Sequence, residues 1–134
     1  FVAEAPPSEG PWLALNGHSR ALVNNLAVMS SVSPAYSPDR RALISATVLG
    51  ESELTDSALE AAVKDELRGW FGPGVDSWRL LRIDRIAHAQ PAAIARPGFV
   101  REGVWLAGDH TAQASAHGAL KSGSLSAEGV LASL

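Results

Sequence analysis

The stretch that decides the reading is "VWLAGDHTAQASAHGALKSG", Val104–Gly123. It opens on apolar residues, turns at Gly108-Asp109, crosses a polar loop and enters a segment of small residues. "GVWLAG" (103–108) predicts a short buried strand. Ser115–Leu134 predicts a helix with Ala116, Ala119/Leu120, Gly123, Ala127 and Val130/Leu131 down one side. A strand that ends in Gly108-Asp109 lets the backbone approach a ligand closely, and Asp109 projects a carboxylate that accepts from hydroxyls. The helix that follows offers unpaired N–H groups and a positive dipole end near Ala116–Ala119. The plainer alternative is a turn in which Asp109 only caps the loop or the helix.

Small residues on the helix give the same choice. Glycine in a helix interior costs roughly 1 kcal/mol against alanine, and Gly118, Gly123 and Gly129 all fall there. A small face admits a flat ligand, or it admits tight packing against a strand or a second helix. The packing reading suits Gly123 and Ala127. The ligand reading suits Ala116 and Ala119 at the helix start.

Working outward, the chain has 134 residues, enough for one modest core. It is 46% hydrophobic and 19% charged, a globular composition. The net charge is −3 and Arg40-Arg41 is the only adjacent basic pair, so broad nucleic-acid or anionic-membrane binding is not expected. With no cysteine, disulfides, thiol catalysis and thiolate metal sites are excluded. Apolar runs are too short for a membrane span and no signal peptide is visible; the expected location is cytoplasmic.

Phe1–Pro11 reads as a tail or linker. "WLALNG" reads as a short strand ending in an Asn-Gly turn. "LVNNLAVMSSVS" (Leu22–Ser33) and "RALISATVLG" (Arg41–Gly50) read as two strands of an antiparallel hairpin with a long connector. "LTDSALEAAVKDELRGWFG" is the clearest helix. Thr55 or Asp56 caps it, Ser57 with Glu60 offers a capping box, and Gly72 stops it. Leu59, Val63, Leu67 and Trp70 form its apolar stripe. "SWRLLRIDRIAHA" (Ser77–Ala89) reads as a strand of imperfect alternation, and "QPAAIARPG" as extended or looped.

Other motifs carry less. "GPGVDS" (Gly72–Ser77) mimics the start of G-x-G-x-x-G but follows a helix, so it is a turn. No Walker loop precedes Lys121-Ser122. "GSLSA" (Gly123–Ala127) lies inside a helix, which discounts hydrolase chemistry. Asp109, His110 and His117 match no short metal motif, and no metal site is expected. His117 reads as near a ligand or on the helix surface, and His88 as a structural histidine at a strand end.

At this point a family likeness enters. "VWLAGDHTAQASAHGALKSGSLSAEGVL" resembles the C-terminal flavin-binding motif of the flavin amine oxidase and phytoene-desaturase-like superfamily. The matching positions are Ala107-Gly108-Asp109, Ser115-Ala116, Gly118-Ala119, Ser122-Gly123 and Ala127-Glu128. Ser124 departs from the arginine often found in that family. "LVNNLAVMSSVSPAYSPDRRALISATVLG" and "WFGPGVDSWRLLRIDRIAHAQP" look like substrate-domain segments of the desaturase-like branch.

The resemblance implies an α+β fold: antiparallel substrate-domain strands with one amphipathic helix, plus the closing strand–helix of a Rossmann-type FAD-binding domain. It implies a tail at 1–11, part of the substrate-binding domain at 12–103, and the closing segment at 104–134. Gly108 and Asp109 would face the ribityl and pyrophosphate region of FAD. Ser115 and Ala116 would approach the ring, the Ala116 N–H lying near a ring carbonyl, with Ala119 packing beneath and His117 also binding the cofactor. His88, Ala89 and Pro91 would face the substrate, a small apolar or amine-bearing molecule. No catalytic side chain is expected, because the flavin carries the hydride chemistry. The first Rossmann unit is absent, so the chain reads as a C-terminal part that needs a missing N-terminal domain or subunit and is inactive alone. Homodimerisation is a further way to cover its apolar surface. The alternative is a folded remnant or assembly module without flavin.

Overall fold

Two strands carry most of the order. β3 (Val23–Val28) pairs antiparallel with β4 (Ala42–Val48), as the β-branched runs predict. In β3 the buried residues are Val23, Leu26 and Val28, a spacing that breaks strict alternation. A bulge restores it: between Val23 and Asn25 two steps on β3 oppose one step on β4. Val23 and Leu26 therefore share one face. The computed structural model describes residues 1–90 and 99–134. They divide into two compact units, Phe1–Arg85 and Ile86–Leu134. The architecture is α+β with antiparallel pairing throughout.

In the first unit the sheet order is β1-β4-β3-β2, with β1 at Val2–Ala3 and β2 at Leu13–Leu15. The segment read as a tail thus begins as an edge strand. Val2 also exchanges two backbone hydrogen bonds with Arg79, at 2.8 and 2.9 Å. β3 stops earlier than Ser33, because Met29–Val32 make one helical turn, α1. The Ser30 hydroxyl there accepts from the Leu43 amide at 3.1 Å and closes the turn onto β4.

Asp39 pins the rest of the connector. It accepts from the Ser37 hydroxyl at 2.9 Å, the Arg41 amide at 3.2 Å and Arg41 Nε at 2.8 Å. This holds Arg40 in the left-handed region, at φ 62°. The Arg41 guanidinium, helped by Ser37, holds the Asp39 carboxyl down to about 2.

Helix α2 (Asp56–Phe71) packs on one face of this sheet. Thr55 caps it, its hydroxyl accepting from the Ala58 amide, and Gly72 ends it at φ 77°. The expected stripe is inward: Leu59, Val63 and Leu67 are buried, and Trp70 packs partly against them. They meet Ala3, Val23, Leu26, Val28, Ala42 and Ile44, with Val75 and Trp78 closing the end. Glu66, one residue before the stripe's Leu67, does polar work. Its carboxylate accepts from Asn16 Nδ2 at 2.6 Å and the Leu22 amide at 2.8 Å, tying the β2–β3 loop to the helix.

Two further expectations fail. Ser77–Ala89 is not a strand beyond the single bridge at Arg79. Its charged residues are satisfied by side-chain pairs instead: Arg82 with Asp84, and Arg85 with Asp56 and the Ser52 and Leu54 carbonyls. In the second unit the predicted buried strand shrinks to β6 (Val104–Trp105). It pairs with β5 (Phe99–Arg101) around Gly103 at φ 71°, and Val104 and Leu106 stay exposed. Two short strands are too few to bury a face. Among the described residues no helix is long and apolar enough to cross a membrane.

Three outcomes test this account. Leu67→Ala, at a fully buried position, should cost ~2–5 kcal/mol in urea unfolding. Glu66→Ala should cost about 1–3 kcal/mol, since the loop amides lose a charged acceptor. Asp39→Ala should show a pH-dependent deficit. The folded-state value is depressed, so the native stabilisation is present above the ordinary carboxylate range and is lost as pH falls through about 2. The gap between wild type and variant in urea midpoint, measured from about pH 5 downward, should close towards that value.

Candidate cofactor site

Helix α3 spans Ala116–Ala132, beginning where the sequence predicts. Its inner face does not match the prediction. The buried line is Gly118, Ser122 and Ser126, with Gly129 continuing it, rather than the alanine and leucine stripe. Leu120 is 74% exposed and Leu131 70% exposed. The reason is steric. A Cβ on Gly118 would stand 1.8 Å from the Gln113 carbonyl oxygen, and one on Gly129 would stand 2.2 Å from the Trp105 ring. Where the glycines are needed, the residues four apart between them must also be small. Gly123 has open space among the described residues, so close packing is not its role.

Gly108 sits at φ 147°, conformational space that favours glycine, and begins a 3₁₀ turn over Asp109–Thr111. A Cβ here would also meet the His110 imidazole at 2.7 Å. The turn is fastened to α3 by hydroxyls. The Gly108 amide donates to Ser122 Oγ at 3.1 Å, Thr111 Oγ1 donates to the Gly108 carbonyl at 2.8 Å, and the two hydroxyls are hydrogen-bonded to each other. Further along, Ser126 Oγ donates to the Leu106 carbonyl at 2.7 Å. Thr111, Ser122 and Ser126 are all buried.

The helix start is built by Ser115. Its hydroxyl accepts from the Gly118 amide at 3.0 Å and its carbonyl from the Ala119 amide at 2.9 Å. The amides of Ala116 and His117 have no partner among the described residues, and both residues are exposed. They are the orphan donors at the positive end of a 17-residue helix. Asp109 is half-buried, with a carboxylate that makes no hydrogen bond within the described residues.

The structure therefore brings Gly108 and Asp109 onto one short turn fastened to α3, and sets Ser115, Ala116, His117 and Ala119 on that helix's first turn. His88 and Ala89 lie exposed in a turn near the start of the same unit. No hydrogen bond joins them to this cluster among the described residues. Pro91 lies outside the described residues. Among those described, no three His, Cys, Asp or Glu side chains gather as a metal site. Thr111, Gln113 and Ser126 escaped the sequence reading, and Ser122 entered it only as part of a motif. The available signal was the line 118–122–126–129, a run of small residues at spacings of four and three that includes two of the helix glycines.

A family model described as flavin containing amine oxidoreductase matches residues 8–131. The chain belongs to that family. Membership makes it an oxidoreductase-class chain and implies a flavin cofactor. No curated protein and no solved structure matches it.

The polar groups fit a flavin: two amides at a helix N-terminus, unpaired among the described residues, suit a carbonyl or phosphate oxygen, and the Asp109 carboxylate suits hydroxyls. Gly118→Ala should displace the Gln113–Ser115 loop and cost about 1–3 kcal/mol or more. Gly123→Ala should instead stabilise by up to ~1 kcal/mol through helix propensity. Thermal melts of the two variants should shift in opposite directions.

Proposed function

We propose that these residues are the C-terminal, cofactor-closing part of an FAD-dependent oxidoreductase of the amine oxidase and desaturase-like type. The observation that carries this reading is the placement, in one unit, of a half-buried Asp109 and the amides of Ala116 and His117, none of which has a hydrogen-bond partner among the described residues. When bound, the flavin would supply the redox chemistry, taking a hydride from a C–H bond of an apolar or amine-bearing substrate while a proton leaves the adjacent N–H or C–H, so that a C=N or C=C bond forms. In this chain Gly108 gives close backbone approach and Asp109 accepts from ribityl hydroxyls. Ser115 holds the first turn of α3 so that the Ala116 and His117 amides remain available to a ring carbonyl, where they would stabilise negative charge. Ala119 keeps that turn slim. His88, Ala89 and Pro91 face the substrate.

The remaining flavin contacts, above all a glycine-rich strand–helix turn for the pyrophosphate, come from a separate N-terminal Rossmann portion, as domain or subunit. Support comes from within the chain: its one G-x-G sequence, at Gly72-Pro73-Gly74, follows helix α2 and not a strand. The exposed Leu120, Leu125 and Leu131 on α3 also suit burial against further protein, or against a second copy.

The test is the complete product of the gene. It should purify yellow, and acid should release FAD and no other flavin. Asp109→Ala should weaken FAD binding about tenfold or more, the scale of a lost charged hydrogen bond. A colourless full-length protein that takes up no flavin would overturn the reading.

A further inference from the structure

The hydrogen bonds around Gly108 admit one arrangement of protons. Thr111 has a single hydroxyl proton, and it goes to the Gly108 carbonyl. The bond between the two hydroxyls must then take its proton from Ser122. Ser122 Oγ in turn accepts from the Gly108 amide. The result is a directional ring: Gly108 N–H to Ser122, Ser122 O–H to Thr111, Thr111 O–H back to the Gly108 carbonyl. It grips both peptide groups that flank one glycine, and bonds in such a chain polarise one another. Thr111 and Ser122 are 9% and 5% exposed, so water does not compete freely for these partners.

We propose that Thr111 and Ser122 are positioning residues for the flavin. The ring fixes Gly108 at φ 147° and with it the turn that carries Asp109. Neither hydroxyl touches the cofactor, since both are spent on Gly108 and on each other. The ring sets where the Asp109 carboxylate stands relative to the first turn of α3, because Ser122 belongs to that helix. This rests on the flavin reading above and adds to it a requirement for two hydroxyls in one direction of donation.

The experiment uses the complete gene product carrying Thr111→Val, Thr111→Ser or Ser122→Ala. Valine keeps the shape of threonine and removes its hydroxyl, donor and acceptor together, while serine keeps both. Three quantities are read: exchange of the Gly108 amide with deuterium, FAD affinity on reconstitution of the apoprotein, and the flavin absorption spectrum. The expected result is faster Gly108 exchange, FAD affinity lower by about tenfold, the scale of one buried group left unpaired, and a shifted flavin band in T111V and S122A. T111S should behave as wild type in all three. Wild-type affinity and spectrum in T111V would overturn the positioning role while leaving the flavin site standing. Wild-type protein that binds no FAD would bring down the site and this role together. Equal losses in T111S and T111V would also refute it, because the hydroxyl would then not be the determinant.

Discussion

Ser122 and Ser126 face inward on α3, and a buried hydroxyl that finds no partner loses its hydration without return. Each finds a backbone group of the segment that precedes the helix: Gly108 for one, Leu106 for the other. The consequence is that the segment's path is set by direction as well as by contact. An apolar face would let the strand slide by an ångström at little cost. Two hydroxyls one helical turn apart do not, because each hydrogen bond weakens steeply with angle. Gly118 and Gly129 at either end of the line make the approach close enough for these bonds to form. The orphan amides at the start of the helix and the Asp109 carboxylate are thereby held with fixed spacing.

The first unit solves a different problem by different means. Its sheet and α2 are joined by ordinary apolar burial, and the core is continuous from Ala3 to Trp78. Such a core says little about where loops go. That information comes from single charged groups. Glu66 collects the loop before β3, Asp39 fixes the turn before β4, and Arg85 reaches Asp56 and two carbonyls at the start of α2. Aromatic contacts at the end of the core, with Phe71 and Trp78 centroids 6.0 Å apart, complete the closure.

Periodicity made the first unit legible. The stripe Leu59–Val63–Leu67 and the hairpin of Val23–Val28 with Ala42–Val48 follow from the two simplest repeats a chain can carry. What was not legible had competing signals. Met29–Val32 belong to a β-branched run, but Ser30 gives the backbone an alternative acceptor and the strand ends. Ser77–Ala89 has the apolar content of a strand, but its arginines and aspartates pair locally. On α3 the large apolar residues at helical spacing are leucines, and these leucines point away from the packed side. The inward residues are small and hydroxylic, and hydropathy weighs them as surface. The candidate site was legible as a motif, in Gly108, Asp109 and Ser115. The ring that holds it was not, because Thr111 and Ser122 are eleven positions apart and meet only in three dimensions.

The choice of serine over leucine on the inner face of α3 has a thermal consequence. The heat capacity gained on unfolding comes from apolar surface newly exposed to water, and polar surface lowers it. The first unit, with its valines, leucines and tryptophan, has the steeply curved dependence of stability on temperature that a hydrophobic core confers. The second has none of the fully buried apolar side chains among the described residues, so its own stability curves less with temperature. Cooling, which weakens hydrophobic burial, therefore erodes the sheet and α2 sooner than it loosens the serine-bonded turn at Gly108.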